Sequence, residues 1–97
     1  MDVEIDEKIK IKVTEPDMYR VIFLNDNATP MDFVIEILVS IFRHSNDTAK
    51  DITVEVHEQG ASVVGTYTFE IAEQKAVEAT TMSRSHGFPL QIKVEKE

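Results

Sequence analysis

The chain contains no cysteine, so neither a disulfide framework nor a thiolate metal site can be built from it, and reducing cytosol is the compartment it suits. Its three glycines stand apart as Gly60, Gly65 and Gly87, which excludes a glycine-rich phosphate loop. No apolar run approaches the roughly 20 residues of a membrane span, and the acidic start Met1-Asp2-Val3-Glu4 lacks the basic region of a signal peptide. Bases are scarce: 10 Lys and Arg against 18 Asp and Glu leave a net charge of −8. Such a surface repels phosphate backbones and favours basic or ammonium-bearing partners, so neither nucleic acid nor membrane is expected. His44, His57 and His86 are 13 and 29 positions apart, far from the i, i+4 spacing of a zinc hydrolase, and no serine sits in a nucleophile-elbow setting. No metal, no cofactor and no catalytic residue are expected.

What is present suits one small domain. Of 97 residues, 42% are hydrophobic and 29% charged, the balance of a soluble globular protein with a single modest core. Residues 1–17 carry nine charged side chains and end near Pro16; they read as a flexible extension, with residues 18–97 as the core domain. Within the extension Val3, Ile5, Ile9, Ile11 and Val13 keep odd positions apolar, a pattern that suits a strand wherever an edge is offered.

Tyr19-Arg20-Val21-Ile22-Phe23-Leu24 is β-branched and aromatic and stops at the turn-forming Asn25-Asp26-Asn27. Thr29-Pro30-Met31-Asp32 then offers a cap, a proline at the first helical position and an acid in the first turn. Met31, Val34, Ile37, Leu38, Ile41 and Phe42 recur at three- and four-residue steps, one apolar helix face through about Arg43. Residues 45–60 read two ways. Ile52-Thr53-Val54-Glu55-Val56 alternates like a strand, whereas a Ser45 cap, Asp47 and Asp51, apolar Ala49, Ile52 and Val56, and Gly60 as a stop describe a helix. Ser62–Tyr67 reads as a strand, Thr68 as the cap of a helix from about Phe69 to Arg84, Gly87 as its stop, and Phe88, Leu90, Ile92 and Val94 as a one-sided closing strand.

The run from Met18 to Val34, in which a strand ends in Asn25-Asp26 and Thr29-Pro30-Met31 opens a helix, resembles the signature of the ClpS family. Val56-His57-Glu58-Gln59-Gly60, Gly65–Lys75 and Phe88-Pro89-Leu90 resemble its further blocks, in order, across about residues 18–96. The resemblance favours the helix over residues 45–60. The fold it implies is α+β: a layer sandwich of order βααβαβ with a three-stranded antiparallel sheet packed on helices. The function it implies is that of a non-catalytic cytoplasmic adaptor. Such a protein binds N-degrons that start with Leu, Phe, Tyr or Trp and hands them to the N-terminal domain of a ClpA- or ClpC-type unfoldase.

Carried onto this sequence, the family pattern puts the amino-group ligands at Asn25, Asp26 and His57. The side-chain pocket falls on Thr29, Met31, Val34, Thr53, Val56 and Leu90, the unfoldase contact on Glu70 and Lys75, and a delivery role on residues 1–17. The chemistry agrees, because an N-terminal ammonium carries three donors and calls for convergent acceptors without an opposing charge. Taken alone, Asn25-Asp26 reads equally as a pair of turn formers, and Met31 and Val34 as plain core. The chain departs from the family pattern in two places: Asn27 stands where a second Asp is common, and Thr53 where a methionine often lines the pocket. The competing function is a structural interaction domain of the same class, like the C-terminal domain of the ribosomal stalk protein, which has no need of ammonium acceptors.

Overall fold

The computed structural model describes residues 16–97, so all of the expected extension except Pro16 and Asp17 lies outside the described residues. Strand β1 (Met18–Leu24) leads to helices α1 (Met31–Ser40) and α2 (Asn46–Gln59); β2 (Ala61–Thr68), α3 (Phe69–Ser85) and β3 (Gln91–Lys96) follow. This is the expected βααβαβ order. The sheet has the order β2-β1-β3, with both pairings antiparallel, so β1 is its centre.

Alternation along β1 buries Val21 and Phe23 completely, on the face the helices cover. The core adds Phe33, Val34, Ile37, Leu38 and Phe42 from α1 and its end, with Ala49 and Val56 from α2. From α3 come only small residues, Ala72, Ala76, Ala79 and Ser83, spaced so that one narrow face lies close on the sheet. The hydroxyl of Ser83 is satisfied by the Ala79 carbonyl at 2.8 Å.

The stretch with two readings, residues 45–60, is a helix. Ser45 Oγ accepts from the Thr48 N–H at 3.1 Å, and Gly60 ends the helix in the left-handed conformation at φ 89°. Alternation would set Ile52, Val54 and Val56 on one side. Instead Ala49, Thr53 and Val56 are buried and Val54 is exposed. Caps at both ends and a helical stripe outweigh β-branched propensity, which tertiary packing routinely overrides.

Three local expectations need correction. Pro30, not Thr29, holds the cap position of α1, and its carbonyl accepts from Phe33 and Val34 N–H, while the Thr29 hydroxyl turns to Asp26. Helix α1 ends at Ser40 rather than Arg43; Arg43 is left-handed at φ 62°, and His44 N–H reaches back to the Leu38 carbonyl at 3.1 Å. Thr68 caps α3 in position only, with no side-chain bond.

Between Val21 and Ile22 the β1–β2 register slips, leaving Val64 as an extra residue in β2. Its carbonyl accepts from His44 Nε2 at 2.6 Å; since a carbonyl only accepts, that ring nitrogen carries the proton. Beside the bulge, Gly65 lies under the Tyr67 ring, and a Cβ there would stand 2.7 Å from Cε2 and Cζ. Gly65→Ala must displace a ring wedged beside Phe42 and the Lys75 ammonium. The substitution is expected to cost about 1–3 kcal/mol, as overpacking does, read as a lower urea midpoint at unchanged slope. An unchanged midpoint would mean that the ring moves aside freely.

Candidate functional site

The end of β1 is where separated parts of the chain meet. Leu24 pairs with Ala61 on one side and Gln91 on the other, so the start of β2 and the start of β3 flank it. The residue before Ala61 is the stop of α2, and the residue before Gln91 is Leu90. Asn25 N–H donates to the Gly60 carbonyl at 2.9 Å, fastening the β1–α1 loop to the end of α2.

Asp26 builds that loop. Its Oδ1 accepts from the Ala28 and Thr29 N–H groups at 2.8 and 2.7 Å, and its Oδ2 from the Thr29 hydroxyl at 2.8 Å, the Asx arrangement of a turn. Burial pushes the carboxyl's pKa up. The bonds from Thr29 and Ala28, with the charge of Arg84 beyond them, outweigh burial and hold it below 3.8.

A cavity of about 300 Å³ opens at this junction. Its apolar depth comes from Val34, Thr53, Val56 and Leu90, none more than 5% exposed. The mouth carries Asn25 and His57, both exposed, with Asp26, Thr29 and Met31, the last 41% exposed. Among the described residues no Lys or Arg lines the cavity, and the C-terminal end of α2, the negative end of its dipole, lies at the mouth beside His57. Thr53 Oγ1 donates to the Ala49 carbonyl at 2.7 Å, which leaves its methyl as the group the wall can offer. The arrangement can take one cationic group at the mouth and one large apolar group in the depth.

All nine residues expected from the sequence for amino-group and side-chain binding therefore line one cavity, drawn from the β1–α1 loop, from α1, from α2 and from the segment before β3. Met31 lies at the mouth rather than in the core. Leu24 and Pro30 also line the cavity and were not foreseen; Asn27, read only as a departure from the family pattern, does so too. The signal for Pro30 was its place between Thr29 and Met31. Leu24 is the last residue of its strand, and periodicity alone does not assign such a position to either face.

Glu70 and Lys75 lie apart from the cavity. Glu70 is exposed in the first turn of α3. Lys75 is half-buried: its ammonium donates to the Ile41 carbonyl at 2.8 Å and stands 5.9 and 5.4 Å from the ring centres of Phe42 and Tyr67. Two histidines are engaged elsewhere, His44 on Val64 and His86 on the Met82 carbonyl. Among the described residues no three His, Cys, Asp or Glu side chains gather as metal ligands, and no helix is long and apolar enough to cross a membrane.

Comparison with known proteins agrees with the fold. The family model of the ATP-dependent Clp protease adaptor protein ClpS matches residues 14–93. The ClpS adapter of Treponema denticola is 47% identical over 88 residues, 91% of this chain and 87% of that protein. That of Campylobacter jejuni is 46% identical over 86 residues, 89% of this chain and 90% of that one. The solved structure of Agrobacterium tumefaciens ClpS2 bound to L-phenylalaninamide superposes with a TM-score of 0.83 at 41% identity, covering 86% of this chain and all of that one. Fold and sequence together define a small α+β adaptor of a proteolytic machine. The chain belongs to the ClpS family of ATP-dependent Clp protease adaptors.

The loop's dependence on a charged Asp26 has a pH signature. Because its folded pKa is lowered, its stabilisation is fully present above the usual value of 3.8 and is lost as pH falls through the lower folded value. Asp26→Ala is expected to cost about 1–2 kcal/mol near pH 7, the scale of a lost cap. Urea titrations of wild type and variant should converge below that range; a gap that persists undiminished at the lowest pH where both fold would contradict this role of the charge.

Proposed function

We propose that the protein is a non-catalytic cytoplasmic adaptor that binds the free α-amino group and the large hydrophobic first residue of N-degron substrates and passes them to a ClpA- or ClpC-type unfoldase. One observation carries this reading: acceptors at the mouth and an apolar depth, from stretches far apart in sequence, share one cavity that, among the described residues, no Lys or Arg lines.

In this reading the substrate's ammonium gives its donors to the Asn25 amide oxygen, a neutral ring nitrogen of His57 and the remaining lone pair of Asp26 Oδ2. Its first side chain fills the space between Val34, Thr53, Val56 and Leu90, a burial worth ~1.5–3 kcal/mol. Met31 guards the mouth, where residues branched at Cβ are widest. The unfoldase's N-terminal domain meets α3, with Glu70 accepting and Lys75 using the donors that Ile41 leaves free. Residues 1–17 serve delivery rather than capture.

The test is fluorescence anisotropy with peptides that differ at the first residue and in acetylation. Free Leu, Phe, Tyr and Trp peptides should bind, Ala and Glu peptides should not, and acetylation should cost at least tenfold, as should His57→Ala, because a buried polar partner is then lost. Equal binding of free and acetylated peptides would overturn the adaptor reading and leave the structural-domain alternative standing.

Selectivity follows from the two walls. Met31→Ala should admit Ile and Val peptides. Thr53→Met should improve Leu binding more than Trp binding by about 1 kcal/mol, the scale of one methylene of contact. Thr53→Val should change little, since the hydroxyl is already bonded within its own helix. If Thr53→Met shifted all peptides equally, Thr53 would have no part in selection.

A further inference from the structure

Arg84 is in the last turn of α3 and does not line the cavity. Its Nη1 nevertheless donates to two backbone carbonyls beyond the helix, Phe88 at 3.0 Å and Leu90 at 2.8 Å. That segment has few other backbone hydrogen bonds, although Phe88 packs on Phe33 and Leu90 belongs to the core. It follows Gly87, left-handed at φ 80°; Pro89 supplies no N–H; and the ladder of β3 starts only at Gln91. Phe88 N–H to the Ser83 carbonyl at 2.9 Å is its remaining backbone anchor. Yet Leu90, at the end of this segment, is 1% exposed and closes the floor of the cavity.

We propose that Arg84 is a positioning residue that sets the depth of the cavity, fixing through the Leu90 carbonyl the height at which Leu90 closes the floor and so selecting among first residues it never touches. The inference rests on the binding reading above. A cation serving only the end of its own helix would act on the carbonyls of that helix; both acceptors of Arg84 lie outside α3. Bonds from a charged donor are also stronger than neutral ones and keep their geometry better. The same charge is the smallest of the contributions that lower the Asp26 pKa. Without it the floor gains freedom, and the loss falls on side chains long enough to reach it.

The experiment compares wild type, Arg84→Gln and Arg84→Lys with Phe-, Trp- and Leu-initiated peptides, and with the acetylated Phe peptide, by anisotropy. Arg84→Gln should weaken Phe and Trp binding by about tenfold and Leu binding by less than about threefold, a difference of the size that lost pocket contacts produce. Arg84→Lys, which keeps a charged donor, should recover most of the loss. In the unliganded proteins the Leu90 methyl resonances should shift in Arg84→Gln and stay near wild type in Arg84→Lys. Equal losses on all three peptides, no loss, or unmoved Leu90 methyls would overturn the role of Arg84. A wild type indifferent to acetylation would instead overturn the binding reading, and the inference with it.

Discussion

The hydrogen bond from the Asn25 N–H to the Gly60 carbonyl sits at the point on which the site depends. It continues the β1–β2 ladder one step past Leu24 and ties the loop that carries Asn25 and Asp26 to the turn that ends the His57 helix. On the other side of the same strand end, pairing of Leu24 with Gln91 brings Leu90 under the junction. A central strand with a neighbour on each side is the economical way to hold three distant stretches at one place. The fully buried Val21 and Phe23 fix its register, since a one-residue slip would turn them outward.

The electrostatics of the junction follow from what is absent as much as from what is there. Among the described residues no Lys or Arg lines the cavity, Asp26 is held in its charged form by local donors, and a helix C-terminus lies beside His57. Each favours a cation at the mouth, and the net charge of −8 extends that preference beyond contact range. The depth is the reverse: Val34, Val56 and Leu90 are buried, and the hydroxyl of Thr53 is bonded to its own helix. A ligand gains most when charge and apolar bulk are joined at one carbon, as they are in the first residue of a protein.

Much of this was legible from the sequence, and the exceptions share a cause. Strands and helices announced themselves through alternation, three- and four-residue steps, and the caps Ser45 and Gly60. The helix over residues 45–60 was undecided on residues alone, because Ile52–Val56 satisfies both periods and only the packing of Ala49, Thr53 and Val56 decides. The nine site residues were reached through resemblance, with amino-acid chemistry supplying reasons rather than positions. What stayed hidden depended on a partner from elsewhere in the chain. Thr29 looked like a cap until Asp26 took its hydroxyl, and nothing near Arg84 in the sequence signals that it holds Leu90. Lys75 bonds the carbonyl of Ile41, 34 residues away, a tie that no local pattern signals.

In the proposed function one cavity at the end of β1 receives both the amino group and the first side chain. Titrating ¹⁵N-labelled protein with phenylalaninamide and following each backbone amide tests it most directly. Asn25, Asp26, His57 and Leu90 are expected to shift together along one binding curve while the exposed α3 residues Glu73 and Val77 stay still. Shifts centred on α3, or separate curves for the loop and for Leu90, would contradict it.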